Sequence, residues 1–540
     1  MSRPNPLILT AALTLFIAVY GGMTLLKGGL YLDTHEGDSY HLLDILLRME
    51  SGRVLHQDFS TPLGILTFAP ILAFMKAGIP VGTAIILAQL SVAILLLPLV
   101  VYAALTRMSR GVAYYFGLVT LGLALALSFG GPVSGVTISM HYNRWAWSIA
   151  FVILALALLP SKSAERPALD GAIIGVLFGA LALLKMTFFV SLAPGVAVAV
   201  LVHWKGRGFL AALIGGLGVA AITTLWMGVS FWGGYLGDLQ SVTGSEVRSN
   251  VGVPLNDIIS GALYIGATLV GVASVLLIRR AGHDTMALAI LLLMPGFIFI
   301  SYQNFGNDPQ WVWILPVLLM SLRPEIGFAA LAGVDLRVLM ASAAWMAVAL
   351  NFPSFVNNAS SPIEHVAFDK DRFVPMLPAE RGHQDIYIRV DRAYMMTAQV
   401  FKDLEQEVWS PYSEIVERAP LQEFGGITVP HCEWMAGSKA YFEVFTADLV
   451  TSGIPAGSQI FTADILSGFW LFGPFEPLQG GAPWYYSGLA GFQNADYVLI
   501  PKCSFVARVR GIMIKDLKAS GAEFNLVRDN ELYALFSIVR

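Results

Sequence analysis

Stretches of about twenty residues with almost no charge recur through the first two thirds of this chain, and they limit what it can fold into more than any other feature. Such a run, coiled as a helix rising ~1.5 Å per residue, matches the ~30 Å hydrocarbon layer of a bilayer. In water it would leave one helix face after another exposed. The 540 residues are 56% hydrophobic and only 13% charged, with a mean hydropathy of +0.67, which excludes an ordinary soluble protein of this size. A net charge of -4 without a Lys/Arg-rich tail offers no field for nucleic acid, so nucleic acid is not expected as a partner.

The expected fold class is therefore a polytopic α-helical membrane protein with about eleven transmembrane helices. Spans are expected near 7–26, 82–106, 111–130, 145–160, 168–184, 186–203, 208–231, 257–278, 284–302, 309–322 and 337–351. The first follows Arg3 and lacks a small-residue cleavage site, so it reads as an uncleaved helix. Alternate connections carry Arg107 and Arg110, Lys162 and Arg166, Lys205 and Arg207, Arg279 and Arg280, and Arg323 with Arg337, on the same side as Arg3. Positive charge marks the cytoplasmic face. The expected localisation is thus a multi-pass plasma (inner) membrane protein with a cytoplasmic N-terminus. One run, 62–76, is too short to span and holds Pro70; counting it would invert every later loop, so it reads as re-entrant or interfacial.

Between the first span and that run lies the densest set of ionisable residues in the apolar region: Asp33, His35, Glu36, Asp38, Asp44, His56 and Asp58. Ionisable groups at a membrane face are costly and point to a task. Asp38, His41, Asp44, Arg48 and Ser51 recur at spacings of three and four, which predicts an amphipathic helix along the membrane with Asp44 on its solvated face. Two regions follow: 1–351 as the transmembrane module, with 27–81 as its acidic first external loop, and 352–540 as an extracytoplasmic α/β domain. In the latter, strand-like 457–463, 495–501 and 532–539 surround helix-like 506–520. Its Cys432 and Cys503 are the only cysteines, and the sequence leaves open whether they pair.

The order of first span, acidic loop, amphipathic helix ending in Ser51-Gly52-Arg53, then Gln57-Asp58-Phe59 and Pro62-Leu63 resembles the first external loop of the GT-C glycosyltransferase superfamily, which includes protein mannosyltransferases and the lipid A aminoarabinose transferase. The Gly-rich span ending at Lys185 is similar to one that many members carry. The resemblance implies a GT-C-like module and an inverting hexosyl- or pentosyltransferase. Its donor would be a polyprenyl-phosphate sugar and its acceptor an envelope glycan, lipid or protein, with membrane lipids around it. Where many relatives have an Asp-Glu pair, this chain has His35-Glu36 followed by Asp38, which leaves open which acid acts.

Such a transfer needs a base for the acceptor hydroxyl and cations for the departing phosphate. Glu36 and Asp38 are the expected catalytic carboxylates; as an alternative, they cap the helix that follows. Asp33, His56 and Asp58 are expected in supporting or acceptor-side roles. For the donor phosphate the best set is His141 and Arg144, with Lys185; interfacial snorkelling beside Trp145 and Trp147 is the alternative for these cations. Arg248 and the segment 303–310 are weaker candidates. His35, Glu36, Asp38, His56 and Asp58 offer donors that a divalent metal could use, but no fixed metal motif is spelled out and no cofactor is expected with certainty. The rival function is a membrane transporter or lipid flippase, disfavoured by the lack of a clear internal repeat and the scarcity of intramembrane acids.

Overall fold

The computed structural model describes residues 3–539 except 205, 248–252, 306, 332, 401–407, 409, 413–420 and 487, so Lys205 and Arg248 lie outside the described residues. The chain divides into two compact units that interleave along the sequence. Unit 1 comprises 1–34, 63–229 and 252–368; unit 2 comprises 35–62, 230–251 and 369–540.

Unit 1 is helical. Six of its described helices are long and apolar enough to cross a membrane: Pro6–Leu26, Val81–Arg107, Pro167–Leu184, Arg207–Met227, Ala262–Arg280 and Asp284–Gln303. A seventh span is added if Leu336–Leu350 and Phe352–Ala367, bent by 60° at Asn351, are counted as one. The expected count of about eleven exceeds this number. Arg110–Leu125, at 16 residues, reaches only about 24 Å, and Met186–Val202 and Gln310–Ser321 are also short of the span length. His141–Leu158 begins with a polar turn. The 62–76 run folds into an eight-residue helix, Ala69–Lys76, too short to span.

Small residues set the closest packing in this unit. A Cβ on Gly171 would lie 2.1 Å from the Gly208 carbonyl oxygen, and one on Gly175 would lie 1.9 Å from that of Ala212. Helices Pro167–Leu184 and Arg207–Met227 thus touch backbone to backbone, as small-residue seams permit in lipid. The outer side of Arg207–Met227 leaves Leu225 88% and Ile214 61% exposed, an apolar surface that water would penalise.

Charges gather at one end of unit 1. Arg3 donates to the Lys162 carbonyl oxygen, the Lys162 amide donates to the Thr106 carbonyl oxygen at 2.7 Å, and Arg107 pairs with Asp170 at 2.7 Å. Tyr102 adds a hydroxyl bond to Asp170, also at 2.7 Å. At the other end of the first helix, Asp33 and Val136 exchange two hydrogen bonds, of 3.0 and 2.7 Å, which hold the 131–140 loop.

Unit 2 builds on a four-stranded sheet ordered Ile460–Thr462, Tyr497–Pro501, Tyr533–Val539 and Glu523–Asp529; its first pair is parallel and the others antiparallel. Helices Ser438–Thr451 and Ala507–Ala519 accompany it. An aromatic core forms around Tyr441 and Phe442, with ring centroids 4.2 Å apart for Tyr441 and Phe445 and 5.2 Å for Phe442 and Phe472. Cys432 and Cys503 form a disulfide across 71 residues, which settles the pairing left open above.

Because Arg3 and Lys162 share one end of unit 1 and Val136 lies at the other, exposed Ser163 and exposed Ser134 should fall on opposite sides of the membrane. With impermeant thiol labelling in intact cells, the Ser134→Cys variant should be modified and the Ser163→Cys variant should not. The reverse pattern would overturn the charge-derived orientation.

Candidate functional site

The expected site residues fall into two groups, one in each unit. In unit 1, helix His141–Leu158 starts after Met140, which adopts left-handed φ 50° and ψ 33° and turns the chain sharply into the helix. That turn buries His141, Asn143 and Arg144 together. The His141 Nε2–H donates to the Thr67 carbonyl oxygen at 3.0 Å, a structural tie rather than an open donor. Arg144 is 1% exposed; its Nη1 donates to the carbonyl oxygens of Ser128 and, at 3.0 Å, Ser139. Its Nε and Nη2 find no acceptor among the described residues. Those two groups form one edge of the guanidinium, the fork that matches two oxygens of a phosphate.

Lys185 sits at the break between helices Pro167–Leu184 and Met186–Trp204. Its ammonium donates to Asn143 Oδ1 at 3.0 Å and to Asn304 Oδ1, and lies 4.9 Å from the centre of the Tyr142 ring. Both cations are therefore held by amide and carbonyl oxygens. The Arg144 hydrogen bonds include no carboxylate, which leaves its positive charge uncompensated at that contact. The 303–310 segment joins the group: Asn307 donates to the Phe129 carbonyl oxygen at 3.1 Å, and a Cβ on Gly130 would meet Gln310 Nε2 at 2.3 Å. Asn307 Oδ1 and Gln310 Nε2 are likewise buried without a partner among the described residues. Each such group costs about 1–3 kcal/mol unless a ligand or water satisfies it.

In unit 2, helix Glu36–Glu50 carries the acids. His35 precedes it at left-handed φ 58°, and the His35 side chain makes no capping hydrogen bond. Glu36 and Asp38 both occupy the first turn. Glu36 is buried, and its Oε2 accepts two bonds from Arg392, at 3.1 and 2.8 Å. Asp38 is half-buried.

The expected solvated face of this helix is inside the unit instead. Asp44 is 1% exposed, pairs with Arg48, and accepts a 2.9 Å bond from the Trp470 indole. Arg48 also donates to the Leu478 carbonyl oxygen at 2.9 Å. Polar residues at helical spacing predict one shared face, but they do not say whether water or a partner covers it. His41 on the same helix is buried against Trp484, and burial pushes its pKa down to about 3.

His56 and Asp58 do not meet as a ligand pair. His56 Nδ1 lies 2.7 Å from Asp238 Oδ2, and its ring packs on Tyr235 at 4.7 Å. Asp58 accepts from the Val54 amide at 2.6 Å and from Gln479 at 3.0 Å, and these bonds hold its carboxyl below the usual range. No group of three His, Cys, Asp or Glu side chains placed to hold a metal occurs among the described residues, so this set does not fit a divalent ion. Asp238 and Arg392 were not singled out in the sequence, and Asn304 entered only as part of the 303–310 segment. The only hint for Asp238 is its place after Phe231 and Tyr235 at helical spacing.

Backbone strain marks the same places. Five non-glycine residues have positive φ among the described residues, and four of them, His35, His56, Met140 and Phe305, adjoin these clusters or belong to one. Such conformations cost about 1–3 kcal/mol each and persist only where the surroundings enforce them.

The buried Asp44–Arg48 pair sets a stability test. Asp44→Asn should destabilise the purified protein by roughly 3–5 kcal/mol, because it strands a buried guanidinium, and Asp44→Asn with Arg48→Met should recover part of the loss. An unchanged melting temperature for Asp44→Asn would contradict the pair's structural role.

No protein-family model matches the chain, and no curated protein matches it.

Proposed function

We propose that the protein is an integral-membrane glycosyltransferase of the GT-C kind, which moves a sugar from a polyprenyl-phosphate donor to an envelope glycan, lipid or protein on the outer face of the membrane. The observation that carries this reading is the Arg144 guanidinium, buried in an apolar helical unit with one edge unpaired among the described residues and Lys185 bonded to the neighbouring Asn143. A lipid-linked phosphate supplies what that edge lacks: two oxygens and a negative charge, delivered from within the bilayer.

The reading assigns the donor phosphate to Arg144 and Lys185 and the acceptor proton to the carboxylates of the Glu36 turn. An acceptor hydroxyl gives its proton to a carboxylate while its oxygen attacks the anomeric carbon. The bond from that carbon to the phosphate oxygen breaks, its electron pair leaves with the polyprenyl phosphate, and the configuration inverts. Glu36 and Asp38 are the two candidates for that carboxylate, and Arg392, which donates twice to Glu36 Oε2, fixes the turn that carries them. His141, tied to Thr67, and Asp33, tied to Val136, brace the donor-side elements.

The test is transfer by the purified protein in vesicles from a panel of polyprenyl-phosphate sugars. Glu36→Gln and Asp38→Asn each keep the shape of the side chain and remove its basic form, so transfer should fall about 10²-fold or more in at least one of them with donor binding intact. Arg144→Lys keeps the charge without the fork and should weaken donor binding, with Arg144→Ala weaker still. Full transfer by both carboxylate variants would remove the base from this turn, and unchanged donor affinity in both Arg144 variants would remove the phosphate site.

A further inference from the structure

Unit 2 holds a cavity of about 340 Å³ that none of the groups above explains. Its walls are residues 60–62, one face of helix Ser230–Thr243, and the loop around Trp484 and Tyr486. The volume lies at the lower end of small-molecule sites, roughly 300–1,000 Å³. Asp238 is the one charged residue among the described residues that line it, so an anion is disfavoured.

The walls are fixed in place. Gly234 lets helix Ser230–Thr243 press against the backbone of His56, since a Cβ there would lie 2.0 Å from the His56 carbonyl oxygen. Asp238 Oδ2 is shared by His56 Nδ1 at 2.7 Å and the Thr61 amide at 3.0 Å, which aims the carboxylate. Opposite, Tyr485 donates its amide to the Ile465 carbonyl oxygen at 3.0 Å, and Trp484 bridges to Leu466, so the aromatic loop is tied to the body of the unit. The Trp484 and Tyr486 rings lie 6.4 Å apart, and the buried indole Nε1 of Trp484 finds no acceptor among the described residues.

We infer that this cavity binds a neutral saccharide and, on the transferase reading above, that it holds the sugar acceptor. Pyranose and furanose rings present C–H faces that pack on aromatic rings, with hydroxyls that both donate and accept. Asp238 Oδ1 has no hydrogen bond among the described residues and can take a hydroxyl proton, while the Trp484 indole can donate to a hydroxyl oxygen. An ammonium ion would suit the carboxylate and the rings but offers nothing to the indole donor. The saccharide satisfies both. This assignment narrows the acceptor from glycan, lipid or protein to a glycan or glycosylated molecule.

The test uses the full chain in detergent, with methyl α-mannopyranoside, methyl β-glucopyranoside, methyl β-galactopyranoside and methyl α-arabinofuranoside as probes, and tetramethylammonium and inorganic phosphate as controls. Saturation-transfer NMR titration should show saturable binding of at least one glycoside and none of either control. Trp484→Ala and Asp238→Asn should each weaken that binding tenfold or more. Trp484→Phe, which keeps an aromatic ring at this position, should weaken it less than Trp484→Ala. Failure of every glycoside to bind, equal binding by Trp484→Ala, or binding of tetramethylammonium instead would overturn the assignment. In transfer assays Trp484→Ala should raise the KM for the glycan acceptor and leave donor binding unchanged; an unmoved KM would overturn the acceptor role. Glycoside binding without any transfer would sink the transferase reading and leave the saccharide site standing, whereas transfer without glycoside binding would do the reverse.

Discussion

Charge kept out of water is the constraint on which the rest of this structure depends. A chain so apolar can bury an ionised group only beside a partner that repays the lost hydration. Arg107 and Asp170 meet that demand at one end of unit 1, with Tyr102 completing the carboxylate. Asp44, Arg48 and Trp470 meet it in unit 2. Lys185 does so with amide oxygens from Asn143 and Asn304. Arg144 departs from the pattern, since its Nε and Nη2 remain unpaired among the described residues in the same dry surroundings. On the reading proposed above, that open edge is where the donor phosphate binds.

The same accounting sorts the acidic loop. Asp58 spends both oxygens on local bonds, and His56 spends Nδ1 on Asp238, so neither forms the ligand set that their sequence neighbours suggested. Asp33 spends Oδ1 on the 131–140 loop. At the helix start Glu36 pairs with Arg392, and Asp38 shares its first turn. The His56–Asp238 contact aims a carboxylate into the unit 2 cavity, so His56 orients a wall of that space.

Much of the helical unit was legible in the sequence because apolar runs state their own length: the six long helices fall on expected spans. The count was not, since runs such as 111–130 fold into only 16 helical residues, and extent in sequence overstates helix length where Pro, Gly or a polar turn intervenes. Strands near 457–463, 495–501 and 532–539 and the helix near 506–520 were legible from their periods. Strand order was not, because it rests on long-range pairing. The HYNR turn and Lys185 were legible as polar residues in apolar surroundings. Asp238, Arg392 and Trp484 were not, since each gains meaning only from a neighbour far away in the chain, as when Arg392 reaches Glu36 across 356 residues. Asp44 shows the converse error, a residue assigned to water from helical spacing that is covered by Trp470.

The central claim is that a sugar leaves a lipid-linked phosphodiester at the Arg144 group. Phosphorus NMR of vesicles that contain the purified protein, a polyprenyl-phosphate sugar and a glycan acceptor tests it most directly, because transfer converts the donor phosphodiester into a phosphomonoester with a different resonance. The account predicts that the monoester signal grows with the wild-type protein only when acceptor is present, and that it grows far more slowly with Arg144→Ala. Monoester signal that stays absent with the wild-type protein for every donor and acceptor tried, or that grows equally with Arg144→Ala, would contradict it.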